Sequence, residues 1–204
     1  MAEADQYFSI KRQVQGDIFK DKGSKFLGYA FPVSSESDVQ EHLAELKKAH
    51  HSARHWCYAY QIGPEMTKYR ANDDGEPNNS AGQPILGQIR SSGLTDVLVV
   101  VVRYFGGTKL GVGGLITSYK SAAKNALDEA EIITHYITCR YEMHFDYPLM
   151  NQAMQIIKEF EAEVVKRQME SDCRFTVVVK KSDKERWDKR CNPVYGLKLT
   201  EIDD

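Results

Sequence analysis

The chain has 204 residues, with 27 Lys or Arg and 29 Asp or Glu, so its formal net charge is −2. At roughly 100–200 residues per domain, this length predicts one domain or two small ones. The hydrophobic fraction of 42% and the charged fraction of 27% are typical of a globular protein. The charge balance excludes a protein that is basic throughout, but it leaves room for a local basic face.

The sequence also argues against a membrane or secreted protein. Its apolar runs are far shorter than the roughly 20 residues that cross a bilayer, and residues 1–10 lack the pattern of a signal peptide. The cysteines at positions 57, 139, 173 and 191 form no CxxC pair, which predicts reduced thiols. We therefore expect a cytoplasmic protein, with two disulfides as the alternative for the cysteines.

Residues 1–136 alternate strands and helices. Strands are predicted over residues 6–19, 25–33, 55–62 and 96–104, and helices over 39–49, 84–93 and 115–130. Ser37 and Gln40 fit a capping box before the first helix, and residues 63–82 fit a long polar loop. Six consecutive aliphatic residues over 97–102 are typical of a central strand that is buried on both faces.

The pattern restarts near residue 136. A strand-like segment is followed by a helix over 148–160, a hairpin, a short polar helix and a last strand over 194–201. This is the βαββαβ order of the ferredoxin-like fold. The predicted fold class is therefore α+β, with domains at 1–136 and 137–204.

A glycine-rich loop between a strand and a helix is the first candidate site. Its glycines are Gly106, Gly107, Gly111, Gly113 and Gly114. The start of a helix offers free N–H groups and a positive dipole, which suit an anion such as phosphate, and Arg103 and Lys109 would add positive charge. The loop matches neither the P-loop nor GxGxxG. The alternative is that the glycines allow a tight turn and close packing.

Two segments around this loop are rich in bases. Residues 87–125 hold five basic residues and one acid, and residues 47–55 hold Lys47, Lys48, Arg54 and three histidines without an acid. If these segments share a face, the chain has a basic surface within a near-neutral total. The alternative is ordinary solvated helix faces.

Histidines and acids form the remaining candidates. His51 and His55 are candidate acid/base groups, and Cys57 beside them is a candidate nucleophile, with packing as the alternative for all three. Asp73, Asp74 and Glu76 could accept an Arg from a partner or hold Mg²⁺, although a solvated turn also explains them. We predict no cofactor and no metal site, with Mg²⁺ as the alternative.

Five motifs carry a family resemblance. They are DKGSKF at 21–26, HWCYAY at 55–60, NDDGEP at 72–77, AGxPIL at 81–86 and VVVVRYFGGTKLGxGGL at 99–115. In this order they resemble the YigZ/IMPACT family over essentially all of residues 1–130. The resemblance implies that the first domain is similar to domain IV of elongation factor G, a βαβ-type sheet with helices on one face. It also implies a ferredoxin-like second domain and, because eukaryotic relatives act in translational control, a role in translation.

Three functions follow as hypotheses. The first is a non-enzymatic, translation-associated regulator that binds RNA, the ribosome or another anionic ligand, or a protein partner of the translation machinery. Its ligand-binding residues would be Arg70, Arg103, Tyr104, Gly106, Gly107, Lys109, Gly111, Gly113 and Gly114, flanked by His51 and His55. The second is a hydrolase or transferase on a small phosphorylated or anionic substrate, using His51 or His55 with the Asp73, Asp74 and Glu76 cluster. The third is a protein-interaction module, and the oligomeric state stays open.

Overall fold

The computed structural model describes residues 5–202, which form two units. Tyr7–His135 make the first unit, and the second runs from Tyr136 and also takes in Asp5 and Gln6. The strands are β1 (Gln6–Ile10), β2 (Val14–Gln15), β3 (Phe19–Asp21), β4 (Ser24–Pro32), β5 (His55–Ile62), β6 (Lys68–Asn72), β7 (Val97–Tyr104), β8 (Ile132–Tyr136), β9 (Thr138–Phe145), β10 (Glu163–Met169), β11 (Cys173–Lys180) and β12 (Lys198–Ile202). The α-helices are α1 (Glu36–Ala49), α2 (Gly82–Ser91), α3 (Gly111–Asp128), α4 (Met150–Glu159) and α5 (Lys184–Cys191).

The first unit is built on an antiparallel sheet in the order β2-β4-β7-β5-β6, with β3 also paired to β4. Its central strand is β7, as the aliphatic run predicts. Val97, Val99 and Val101 enter one apolar cluster together with α2 and α3. Leu98, Val100 and Val102 enter a second cluster together with α1.

The expectation that helices cover one face of this sheet is therefore wrong. Helix α1 buries Val39, Leu43 and Leu46 on the face opposite α2 and α3. The physical reason lies in β7, because a strand that is apolar on both sides needs cover on both sides.

Several local predictions also differ from the structure. Residues 6–19 contain separate short strands, and the predicted loop over 63–82 contains β6, which pairs with β5. The capping box uses Ser35 and Asp38 rather than Ser37 and Gln40. Ser35 Oγ accepts from the Asp38 N–H at 3.2 Å, and Asp38 Oδ2 accepts from the Ser35 N–H at 3.1 Å. Hydrogen bonds from Ser34 and Ser35 lower the pKa of the Asp38 carboxyl.

The second unit has the predicted βαββαβ element order. Its antiparallel strands lie in the order β10-β11-β9-β12, the split arrangement of a ferredoxin-like fold. Helices α4 and α5 pack on the sheet and bury Ile156 and Trp187. All four cysteines are free thiols. None of the helices within residues 5–202 combines the length and the apolar character that a membrane span requires.

Candidate functional site

A cavity of about 340 Å³ lies where the loop after β7 and the start of α3 meet the acidic loop that follows β6. It is lined by Glu76, Pro77, Arg103, Phe105, Lys109, Leu110, Gly111, Val112 and Leu115. The fold thus brings predicted site residues from two distant segments to one place.

A buried ion pair forms one side of this cavity. Arg103 is only 5% exposed, and its Nη1 donates to Glu76 Oε1 at 2.5 Å. The Tyr119 hydroxyl donates to the same oxygen at 2.8 Å, and His55 Nε2 lies 3.8 Å from it. Burial raises the pKa of Tyr119, so its hydroxyl keeps its proton and serves as a donor. The carboxylate of Glu76 therefore neutralises the Arg103 charge within the protein.

Other contacts also hold the Arg103 guanidinium inside the protein. Its Nη2 donates to Ser24 Oγ at 3.3 Å, and its guanidinium lies 5.4 Å from the ring centre of Phe26 and 5.5 Å from that of Phe105. Sequence reasoning assigned Arg103 to an external phosphate. In the structure its charge is matched by Glu76, which leaves little of it for a ligand.

The acidic loop is held by the backbone that surrounds it. Asp73 accepts from the N–H groups of Asn79, Ala81 and Gly82 at 2.8–3.0 Å, and so caps the start of α2. Asp74 Oδ2 accepts from the Trp56 N–H at 2.8 Å.

The same loop also fixes the ring of His55. His55 Nδ1 lies 2.8 Å from the Asp74 carbonyl oxygen, where it donates. Within residues 5–202, no group of three or more His, Cys, Asp or Glu side chains is placed to hold a metal ion. Asp73 therefore caps α2, Asp74 binds the backbone of β5, and Glu76 pairs with Arg103.

In the glycine loop, in contrast, several polar groups have no hydrogen-bond or ion-pair partner among the described residues. Helix α3 begins at Gly111, whose φ of +74° favours glycine, and it has neither a side-chain cap nor an acid in its first turn. The N–H groups of Gly111, Val112 and Gly113 therefore lack helical acceptors. Lys109 is exposed and makes no ion pair among the described residues. This is where the site can take an anion.

The other glycines of this loop have different roles. A Cβ at Gly106 would lie 1.9 Å from the carbonyl carbon of Gly23, so this glycine permits close packing of two loops. Gly107 is exposed, whereas Gly114 packs against Leu110 and its N–H bonds within the helix. The close packing predicted as the alternative is therefore present at Gly106, and anion binding at the start of α3 stays a prediction.

Three predicted site residues lie elsewhere. Tyr104 follows Arg103 on β7 and therefore points to the opposite face of the sheet, as strand alternation requires. Arg70 lies on β6 opposite Tyr60, and His51 is exposed in the turn after α1.

Two side chains that the fold engages in this region have no prediction from the sequence. One is His50, rather than His51, because its ring nitrogens lie 2.8 Å from the hydroxyls of Tyr29 and Tyr104. The other is Tyr119, whose hydroxyl is the signal in the sequence, because a buried tyrosine hydroxyl requires a partner.

The fold and the sequence together define the class of this protein. A family model described as Impact N-terminal domain matches residues 22–127. The chain belongs to the IMPACT family, which confirms the resemblance seen in the five motifs.

Relatives within the family share most of the chain. The chain is similar to IMPACT family member YvyE of Bacillus subtilis (strain 168), with 35% identity over 153 residues that cover 75% of this chain and 70% of the relative. It is 48% identical over 107 residues to "IMPACT family member in pol 5'region" of Thermus thermophilus, covering 52% of this chain and 56% of the relative. A crystal structure described as that of a hypothetical protein has the same fold, with a TM-score of 0.72, 22% identity, and coverage of 99% of this chain and 100% of that one.

Proposed function

We propose that this chain is a cytoplasmic, translation-associated regulator that binds RNA through the cavity at the start of α3. One observation carries the choice of site: the uncapped helix start and the unpaired Lys109 both border the cavity. Backbone N–H groups at a helix start and a nearby lysine are suited to phosphate oxygens. The family resemblance supports the role in translation, and the ribosome is the RNA-rich partner we propose.

The lining of the cavity supports a nucleotide rather than a bare anion. Phe105 is 48% exposed and Val112 is 52% exposed, and both line the cavity. An exposed aromatic ring next to phosphate-binding groups can stack on a base. We expect Lys109 and the N–H groups of Gly111–Gly113 to contact a phosphate while Phe105 contacts the neighbouring base.

The salt dependence of RNA binding tests this proposal. We expect a labelled single-stranded RNA to bind at low salt and to dissociate as salt rises, because each phosphate contact contributes about 0.7 to the slope of log K against log salt. Lys109→Ala should weaken binding and reduce the slope by about that amount. Lys158→Ala removes an equal charge from α4 and is the matched control.

Two results would contradict the proposal. One is the absence of RNA binding at about 50 mM salt, where phosphate contacts are strong. The other is equal loss of affinity for Lys109→Ala and Lys158→Ala, which would show a non-specific charge effect. Co-sedimentation of the wild type and both variants with ribosomes extends the same comparison to the proposed partner.

A second candidate function rests on His55. Its Nε2 lies 3.8 Å from Glu76 Oε1, so the two form a candidate acid/base pair, and its Glu76 member lines a space for a small anionic substrate. An enzyme of this kind should release inorganic phosphate from some member of a panel of small phosphate esters. That release should be lost in His55→Gln, whereas RNA binding should be retained. Equal release by wild type and His55→Gln would exclude this candidate.

A further inference from the structure

The sheet face opposite the glycine loop carries a second surface. It is formed by Leu27, Tyr29, Trp56 and Tyr104, which are only partly buried against the α1 side of the core. We call these four residues the aromatic face. Helix α1 ends at Ala49, and these side chains lie on β4, β5 and β7. Each of the four keeps part of its side chain open to solvent.

The strand register places these side chains on one face of three neighbouring strands. Leu27 and Trp56 lie on either side of the buried Val102, and Lys25 lies opposite Tyr104. The ring of His50 joins Tyr29 to Tyr104, with its nitrogens 2.8 Å from each hydroxyl. Tyr29 on β4 and Tyr104 on β7 are therefore held by hydrogen bonds to one histidine, and Trp56 on β5 lies on the same face.

Positive charge surrounds this face. Lys25, Lys47, Lys48 and Arg54 are all exposed and make no ion pair among the described residues. Lys47 Nζ lies 5.8 Å from the centre of the Trp56 ring. The segments that build the surface, residues 22–35 and 46–64 together with β7, contain neither Asp nor Glu. The charge of the surface therefore complements a polyanion.

Two acids lie on adjoining segments. Asp74 accepts from the Trp56 N–H, whereas the Glu45 side chain is 75% exposed and its Oε2 lies 3.5 Å from His42 Nδ1.

A cavity of about 240 Å³ continues this surface beside Tyr29. Its walls include Tyr29 and Phe31 together with the side chains of Gln13, Gln15 and Glu45. Aromatic rings offer stacking, and amide and carboxylate groups offer donors and acceptors to the edge of a base. An unpaired nucleobase can make both kinds of contact.

We propose that the aromatic face binds single-stranded RNA, with bases against Tyr104, Trp56 and Tyr29 and phosphates against the surrounding cations. Partly exposed aromatic side chains within a cationic surface are the combination that binds single strands, because every base has a face that stacks. The choice of RNA as the polymer rests on the proposed function. The surface itself does not, because it lies on the opposite side of the sheet from Lys109 and the cavity at α3.

A pair of substitutions at Tyr104 tests the stacking. Tyr104→Phe removes the hydrogen bond to His50 and keeps the ring, so it should bind an oligouridylate within about twofold of wild type. Tyr104→Leu keeps an apolar side chain and removes the ring, so it should bind roughly tenfold more weakly, as expected for one lost stacking contact. Equal affinity for Phe and Leu at position 104 would overturn the proposal.

Fluorescence gives a readout that does not depend on a substitution. Trp56 is partly buried and Trp187 is fully buried in the other unit, so a stacked base should quench Trp56. An oligouridylate should quench the emission, and an RNA duplex of equal length should not, because its bases are paired. Quenching by neither RNA at saturating binding, or equal quenching by both, would refute the assignment.

A substitution at Arg54 distinguishes RNA binding at this surface from RNA binding at the cavity beside α3. Arg54→Ala should reduce the salt slope of oligouridylate binding by about 0.7, the value of one phosphate contact on a single strand. If Lys109→Ala has no effect while Arg54→Ala does, the proposed function at α3 fails and this surface stands. The reverse result overturns the present inference and leaves the α3 site intact.

Discussion

Two loops at the end of the same sheet differ in what happens to their polar groups. In the acidic loop at residues 72–76, Asp73 caps α2, Asp74 holds the backbone of Trp56, and Glu76 pairs with Arg103. In the glycine loop at residues 105–114, the first N–H groups of α3 and the amine of Lys109 have no partner among the described residues. The acidic loop therefore stabilises the fold, and the glycine loop is open to a ligand.

This difference shows that charge in a motif does not identify a site by itself. Asp73 and Arg103 have the residue types that a metal or phosphate site requires. Their partners lie within the protein, because a buried N–H group or charge is costly without one. Polar groups that the fold leaves unpaired are the better guide to a site, and in the glycine loop these are backbone amides and Lys109.

The largest expected effect comes from breaking the Arg103–Glu76 pair. Arg103→Met leaves a buried carboxylate, so we expect the free energy of unfolding to fall by about 3 kcal/mol or more in urea denaturation. Adding Glu76→Leu to that variant removes the unpaired charge and should recover part of the loss. A loss below about 1 kcal/mol for Arg103→Met would mean that this pair is solvated, as surface pairs are.

Next in size is the close approach at Gly106. A Cβ in Gly106→Ala would overlap the backbone of Gly23 and Ser24, so we expect a loss of about 1–3 kcal/mol, as for overpacking. Gly113→Ala is the matched control, because its Cβ meets no atom within 4 Å and alanine favours the helix. Thermal unfolding should therefore show opposite shifts for the two variants, and equal shifts would contradict the distinction between packing and open glycines.

A smaller effect is expected at the cap of α2. Asp73→Ala removes the acceptor for three N–H groups and should cost about 1–2 kcal/mol in urea denaturation. Asp73→Asn keeps an acceptor oxygen and should recover most of that loss. If Asp73→Ala is as stable as wild type but changes ligand binding, Asp73 belongs to the open site instead.

The smallest effect concerns pH and His50. Burial lowers the pKa of His50, so below its ordinary value of about 6.5 the unfolded chain takes up a proton that the folded chain does not. Stability should therefore fall as pH drops from 7 towards 5.5, and this dependence should be weaker in His50→Gln. An unchanged pH dependence of the melting temperature in His50→Gln would contradict this assignment.

The sequence predicted the elements that depend on local pattern. The buried strand β7 and the βαββαβ order of the second unit follow from apolar runs and periodicity, and the structure has both. The sequence of β7 also predicts that a helix such as α1 packs on the opposite face of the sheet, since six consecutive aliphatic residues require packing on both sides.

The candidate site was less predictable, because the hydrogen-bond and ion-pair partners of its side chains are set by tertiary contacts. Glu76 and Arg103 are 27 positions apart, and no spacing rule connects them. In contrast, side chains alternate between the two faces of the sheet along β7, and this rule alone predicts that Tyr104 and Arg103 lie on opposite faces. The open start of α3 was predicted from its glycines, and that part of the site stays a prediction for ligand binding.

The most direct test of the open glycine loop is a measurement on its backbone amides. In ¹H–¹⁵N spectra, adding inorganic phosphate or a short RNA should shift the resonances of Gly111, Val112 and Gly113, because these N–H groups lack helical acceptors. The amides of Ala81 and Gly82, held by Asp73, should not move. Shifts at Ala81 and Gly82 without shifts at the start of α3 would contradict the account.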